Sequence, residues 1–238
     1  MVRDVAERAF AMVQRAGRGA TEIVQACLKM LTTVLRHCPQ LAVSDEHLRA
    51  VLQSGVFLDL EESGSRSTAF ALLKVILARR LLVPELYDLM ARVGELMIKS
   101  QALSVRHLSR DTFLTFLLDY PLGPKRLQQH LDFVVLNLTH QHASGREAAL
   151  AFLQSVIAHF PSDVIEEQAE ALFVALIPRL VSDSSGGVRS QVGATLKALL
   201  RRVGDRSRER LLHFALMWFR GQQRNLWRPA AQVKTTTA

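Results

Sequence analysis

RSTAFALLKVIL, residues 66–77, sets an arginine ahead of apolar residues at +3, +7, +10 and +11: Ala69, Leu73, Ile76 and Leu77. Steps of three and four keep side chains on one helical face, so the stretch predicts a helix with a buried stripe. The same figure returns in REAALAFLQSVI, residues 146–157, as Ala149, Leu153, Val156 and Ile157. In RSQVGATLKALL, residues 189–200, it reads Val192, Leu196, Leu199 and Leu200. In RHLSRDTFLTFL, residues 106–117, it reads Ser109, Phe113, Phe116 and Leu117, with one polar member. The arginines Arg66, Arg106, Arg146 and Arg189 stand 40, 40 and 43 residues apart.

A fifth copy lies upstream. Pro39, Pro121 and Pro161 align when each is placed 15 residues past the register position, which puts Val24 where the arginine would be. Its ladder is Cys27, Leu31, Val34 and Leu35. A period of about 40 residues built from helical spacing is the signature of HEAT-like or armadillo-like repeats. The expected fold is therefore all-α: an α-solenoid of about five helix pairs, in which each pair buries its apolar stripe against the next. Residues 1–228 read as one such segment and 229–238 as a disordered, polar tail.

Breaks and caps place the helices. Val2–Arg15 is amphipathic and precedes Gly17 and Gly19, and Thr21–His37 stops before Pro39. Ser44 caps a helix expected to reach Leu60, Ser63-Gly64-Ser65 reads as a turn, and Ser67–Leu81 follows. Pro84 suits a first helical turn. Pro178 is expected to kink or end the helix that opens at Ser162, and Ser185-Gly186-Gly187 reads as a turn before Gln191–Val203.

Composition narrows the functional class. With 49% hydrophobic and 22% charged residues, the 238-residue chain is globular rather than disordered. Its best apolar run, Phe70–Leu77, is cut by Lys74, well short of the roughly 20 residues that span a bilayer, so no membrane partner is expected. Asp4 and Glu7 argue against a secretory or transit signal. Cys27 and Cys38 fall on one expected helix, too far apart for a disulfide, and a reducing intracellular setting fits. No Walker loop, GxGxxG, HExxH or GxSxG occurs. No enzyme reading, cofactor or small-molecule substrate is therefore supported.

The net charge is +8, and it is unevenly placed. Arg201, Arg202, Arg206, Arg208, Arg210, Arg220, Arg224 and Arg228 face only Asp205 and Glu209 within that segment. These eight arginines are candidate RNA-phosphate contacts, since guanidinium pairs well with phosphate oxygens. The blander reading is a solvated basic end. Trp227 is the candidate for base stacking. Trp218 shares a helical stripe with Leu211, Phe214 and Ala215 and reads as core.

Arg66, Arg106, Arg146 and Arg189 read as structural repeat positions. Asp183, six residues before Arg189, would supply an acidic mate at an inter-repeat seam. The other copies carry Leu60, Ser100 and His140 there, so the acid does not repeat. His140 and His142 lack the further ligands a zinc site needs and read as a polar turn.

Longer strings carry a family resemblance. They are TAFALLKVILARRLLVPELYDLM (68–90), FLLDYPLGPKRLQQHLDFVVLNL (116–138) and SGREAALAFLQSVIAHFP (144–161), with Trp218-Phe219 near the end. This resembles the U3 small nucleolar RNA-associated protein 20 family, also called down-regulated-in-metastasis, over roughly residues 64–224. The resemblance implies a piece of a very large HEAT-repeat scaffold of the small-subunit processome. It would be nucleolar, act in early processing of pre-18S ribosomal RNA, and have processome proteins and U3 or pre-ribosomal RNA as partners. It implies no catalytic residues. The alternative is a protein–protein adaptor of the same fold without RNA contact. An excerpt of a longer array would expose apolar ends and is expected to self-associate.

Overall fold

The computed structural model describes residues 2–16, 22–58, 60–61 and 63–219. The regular structure of these residues is helical. It comprises α1 (Val2–Ala16), α2 (Glu22–His37), α3 (Asp45–Leu52), α4 (Gly55–Leu58), α5 (Ser63–Ala78) and α6 (Pro84–Lys99). There follow α7 (Leu103–Asp119), α8 (Pro124–Leu136), a 3₁₀ turn (Asn137–Thr139), α9 (Ala143–His159), α10 (Ser162–Ser182), α11 (Gly186–Arg202) and α12 (Asp205–Phe219). They group into two compact units that divide between Val156 and Ile157.

In the first unit α1, α3 and α6 pack in one row, and α2, α5 and α7 in a second. Packing of α1 on α2 and of α6 on α7 joins the rows into hairpins. In the second unit α11 packs along α10, and α12 packs on α10. This is the paired packing of helical repeats that the period implies.

The ladder is the reason. Leu31, Leu73, Phe113, Leu153 and Leu196, all at +7, are each at most 6% exposed. Among the other rungs, Leu35, Ala69, Ile76, Leu77, Phe116, Ala149 and Leu199 are likewise buried. A lone hairpin leaves its stripe wet, and the neighbouring hairpin removes it from water. Each large rung buried this way contributes roughly 1.5–3 kcal/mol. An aromatic cluster thickens this core in the first unit. Phe113 meets Phe152 at a 5.4 Å centroid distance and His130 edge-on at 5.3 Å, and the Arg126 guanidinium lies 4.1 Å over the Tyr87 ring.

Several boundaries differ from expectation, each for a local reason. The helix expected from Ser44 to Leu60 is broken at Gln53-Ser54 into α3 and α4. The Ser44 cap itself forms, its hydroxyl accepting from the His47 amide at 3.2 Å. Ser63-Gly64-Ser65 and Gly186-Gly187 are first turns of α5 and α11, not loops. The amide donors of a first helical turn have no intrahelical acceptor, and Ser185 Oγ accepts from the Val188 amide at 3.3 Å to cap α11. Pro178 does not end the element, because α10 continues to Ser182. The carbonyl that Pro178 leaves without a donor belongs to Val174, whose exposed position admits water. At the end of α5, Leu81 N donates to Ile76 O at 3.2 Å and Arg80 N to Leu77 O at 2.9 Å, with Arg80 at φ 52°. That is a left-handed closure more often filled by glycine.

Candidate nucleic-acid interface

With these bounds, Arg66, Arg106, Arg146 and Arg189 are each the fourth residue of α5, α7, α9 and α11. Their partners are mainly backbone carbonyls. Arg66 Nη1 donates to Ser104 Oγ at 2.8 Å and Nη2 to Glu61 O. Arg106 Nη1 donates to Ser144 O at 3.2 Å. Arg146, 7% exposed, donates Nη1 to His140 O at 2.9 Å and to Gln141 O at 3.1 Å. Arg189 Nη1 donates to Asp183 O at 2.6 Å.

The acceptor at −6 is thus a main-chain oxygen in two copies, and side-chain identity there is free to vary. That is why His140 can stand where Asp183 does, whereas Arg66 reaches the Glu61 oxygen at −5 and Arg106 the Ser144 oxygen of the next repeat. The Asp183 carboxylate itself accepts from the Ser185 amide at 2.9 Å, closing the turn ahead of α11.

A second periodic contact escaped the sequence reading. Thirteen residues past the register position, Arg79 Nη2 donates to Pro39 O at 2.9 Å and to Leu41 O. At the matching position of α11, Arg202 Nε donates to Ile157 O at 3.0 Å and Nη2 to Phe160 O, with Nη1 3.3 Å from Ser162 Oγ. At the next position, Tyr120 Oη donates to Leu81 O at 2.8 Å. Each side chain ties the end of its helix to the corresponding loop of the hairpin before it. Burial pushes the Tyr120 phenol up to about 12.

These contacts divide the basic end. Arg202 is engaged as described. Arg208 donates Nε to Leu200 O at 2.7 Å, Nη2 to Val203 O at 3.0 Å and Nη1 to Asp205 Oδ1 at 2.8 Å. All three nitrogens of both arginines therefore serve the fold. Arg201 and Arg206 are exposed, with no hydrogen bond or ion pair among the described residues. Arg210 is also exposed, with its Nε 3.9 Å from Glu170. Arg220, Arg224, Trp227 and Arg228 lie outside the described residues. Trp218 is half-buried on α12. Near this end Glu166 is held below the usual carboxylate range by the Ser207 hydroxyl, then by the Gly204 amide and the Arg210 charge.

The remaining chemistry-bearing residues are structural in placement. His140 Nδ1 accepts the His142 amide at 3.2 Å, forming the turn before α9. A Cβ on Gly145 would lie 2.3 Å from His140 Nδ1, so this turn requires glycine. No group of three or more His, Cys, Asp or Glu side chains that could hold a metal occurs among the described residues. Both cysteines are free, and Cys27 Sγ lies 3.9 Å from Met12 Sδ. An open groove of about 700 Å³ lies beside Glu46, Arg49, Glu85, Asp88 and Arg92, with Arg49 Nε 3.1 Å from Glu85 Oε1. Its mixed charges select no one ligand class. No described helix is long and apolar enough to cross a membrane.

Two curated relatives match most of this chain. The U3 small nucleolar RNA-associated protein 20 of Schizosaccharomyces pombe is 27% identical over 198 residues, 83% of the chain. The Saccharomyces cerevisiae protein of the same name is 23% identical over 218 residues, 92% of the chain. The similarity is distant but nearly chain-long. The chain spans only 8% and 9% of those two relatives' lengths. No family model matches. Among solved structures, an engineered protein from a structural genomics consortium aligns over 85% of this chain and 90% of its own, at 18% identity and a TM-score of 0.37.

Proposed function

We propose that this chain is a non-catalytic helical-repeat scaffold segment of the small-subunit processome, supporting pre-18S ribosomal RNA processing in the nucleolus. The supporting observation is the 27% identity over 83% of the chain to a protein named for its association with U3 small nucleolar RNA. Repeat arrays suit scaffolding because adjoining hairpins present extended surface to several partners. The 43-residue step from Arg146 to Arg189 carries the period past residue 156, in keeping with one array over residues 1–228. The test is to purify the tagged chain from cells and quantify U3 small nucleolar RNA against unrelated small RNAs. Enrichment of U3 with processome proteins is expected, and recovery at background level would overturn the assignment.

Direct RNA contact is the finer part of the proposal. Arg201, Arg206 and Arg210 would supply phosphate contacts within the described residues, joined by Arg220, Arg224, Arg228 and a stacking Trp227. Arg202 and Arg208 are better read as structural. Replacing Arg201, Arg206 and Arg210 by alanine should flatten the salt dependence of RNA affinity by about two to three units of log–log slope. The adaptor reading is favoured by the engagement of Arg202 and Arg208 within the fold. It predicts no RNA binding even at low salt.

A further inference from the structure

Helix α11 carries Arg189, Lys197, Arg201 and Arg202 and no acidic residue. Helix α10, packed along it, carries Asp163, Glu166, Glu167 and Glu170 against Arg179. Charge in this hairpin is sorted by helix rather than mixed. An anion approaching α11 meets cations, and one approaching α10 meets carboxylates.

Every exposed residue of α11 is a glycine, a serine, an alanine or a cation. Ser190, Ala194, Lys197 and Arg201 follow one another at steps of four, three and four, which makes one stripe on the side opposite the buried Val192 and Leu199. Arg189 and Arg202 flank it and are drawn off, the first by the Asp183 carbonyl and the second by those of Ile157 and Phe160. Lys197 and Arg201 have no hydrogen bond or ion pair among the described residues. They stand one turn apart, about 6 Å along the helix axis, close enough for both to meet one strand.

We infer that the solvent face of α11 is a surface for nucleic-acid phosphates, on which Lys197 joins Arg201 and the short side chains of Ser190 and Ala194 let a strand lie close to the helix. The composition of the stripe selects this partner. Protein interfaces draw their affinity from large side chains centred in the contact, aromatic ones above all. The stripe has none, since its two cations are accompanied only by Ser190 and Ala194. A phosphate backbone requires only unengaged cations and room to approach them, and it is bound without regard to base sequence. The carboxylates of α10 make the other side of the hairpin unfavourable for the same ligand, so the face is fixed as well as the charge. The inference rests on the RNA contact proposed above. It adds the face that is used and a residue, Lys197, that lies outside the arginine-rich segment.

The probe is a fluorescein-labelled single-stranded oligouridylate, titrated with the full chain over a range of salt concentrations and followed by anisotropy. Lys197→Ala combined with Arg201→Ala should weaken binding about tenfold at low salt and flatten the log–log salt dependence by about 1.4, the slope of two phosphate contacts to a single strand. Both side chains are exposed and without partners, so thermal melting of this variant should match the parent. Arg8→Ala combined with Lys125→Ala makes the same change in net charge at exposed positions of α1 and α8, and should stay within about twofold of the parent if the face and not the total charge decides. Equal losses in the two double variants would overturn the inference. So would unchanged affinity in the α11 variant beside a loss in Arg206→Ala with Arg210→Ala, a result that leaves RNA contact standing and moves it to α12. Competition by polyglutamate as effective as that by unlabelled oligouridylate would overturn it in favour of an acidic protein segment. No binding by the parent at low salt would overturn it together with the RNA contact, while recovery of U3 small nucleolar RNA with the tagged chain reports separately on the scaffold reading.

Discussion

Arg79 donates its Nη2 to the carbonyl of Pro39, 2.9 Å away and 40 residues earlier in the chain. The guanidinium thereby joins the end of α5 to the loop that follows α2, one repeat back. Arg202 makes the same connection from α11 to the end of α9. A charged donor on backbone carbonyls contributes about 1.5–3 kcal/mol when water is partly excluded. Arg79→Ala should therefore destabilise by about 2 kcal/mol in chemical denaturation, and the more exposed Arg202→Ala by about 1 kcal/mol. Lysine cannot reach two carbonyls with one planar group, so Arg79→Lys should recover less than half of the loss.

Tyr120 makes the corresponding contact from α7, and its phenol is pushed up to about 12 by burial, with the nearby Tyr87 adding to the shift. An acid whose folded pKa lies above its unfolded value near 10 stabilises fully below pH 10 and loses that contribution as pH rises through about 12. The chain holds two tyrosines. Phenolate absorbance of a Tyr87→Phe variant should show Tyr120 titrating above the ordinary 10, lower than in the parent by the Tyr87 contribution, or abruptly with alkaline unfolding. Titration near 10 in the folded protein would contradict the burial of the Tyr120 phenol.

His130 sits edge-on to Phe113 and Phe116, at 5.3 and 5.6 Å. Burial, then the Arg126 charge, lowers its pKa below the ordinary 6.5. The unfolded chain then takes up a proton before the folded one does. Stability is full above pH 6.5 and falls as pH drops from there through the lowered folded value. His130→Leu should remove that part of the acid dependence in denaturation curves recorded between pH 7.5 and 5, a span of about two and a half units around the histidine range.

Ser109 is the ladder's polar rung, fully buried, with no partner for its hydroxyl among the described residues. The equivalent rungs are Ala69 and Ala149. Ser109→Ala removes a desolvated hydroxyl and raises helix propensity, so it should stabilise by roughly 1 kcal/mol. A loss of stability would show that the hydroxyl has an acceptor.

The ladder was legible because a buried stripe must repeat every three to four residues, and a stacked array must repeat it every hairpin. Arg66, Arg106, Arg146 and Arg189 were legible as positions, but not by partner. The sequence offered Asp183 as a carboxylate mate, and the acceptor for Arg189 is the Asp183 main-chain oxygen. Every residue has such an oxygen, so this acceptor leaves no mark in the sequence. The contacts of Arg79, Tyr120 and Arg202 were hidden for the same reason, and because one role is filled by different side chains at +13 or +14. At the basic end, residue type suggested one patch of arginines. Geometry separates Arg202 and Arg208, turned to carbonyls, from the exposed Arg201, Arg206 and Arg210.

The most direct measurement is equilibrium denaturation of alanine variants at the five +7 rungs, Leu31, Leu73, Phe113, Leu153 and Leu196, beside Thr33→Ala and Lys197→Ala at exposed sites. Each rung should lose about 2–5 kcal/mol. The two exposed sites should stay within about 0.5 kcal/mol of the parent. Rungs that unfold no more readily than Thr33→Ala or Lys197→Ala would contradict a core built from the repeated stripe.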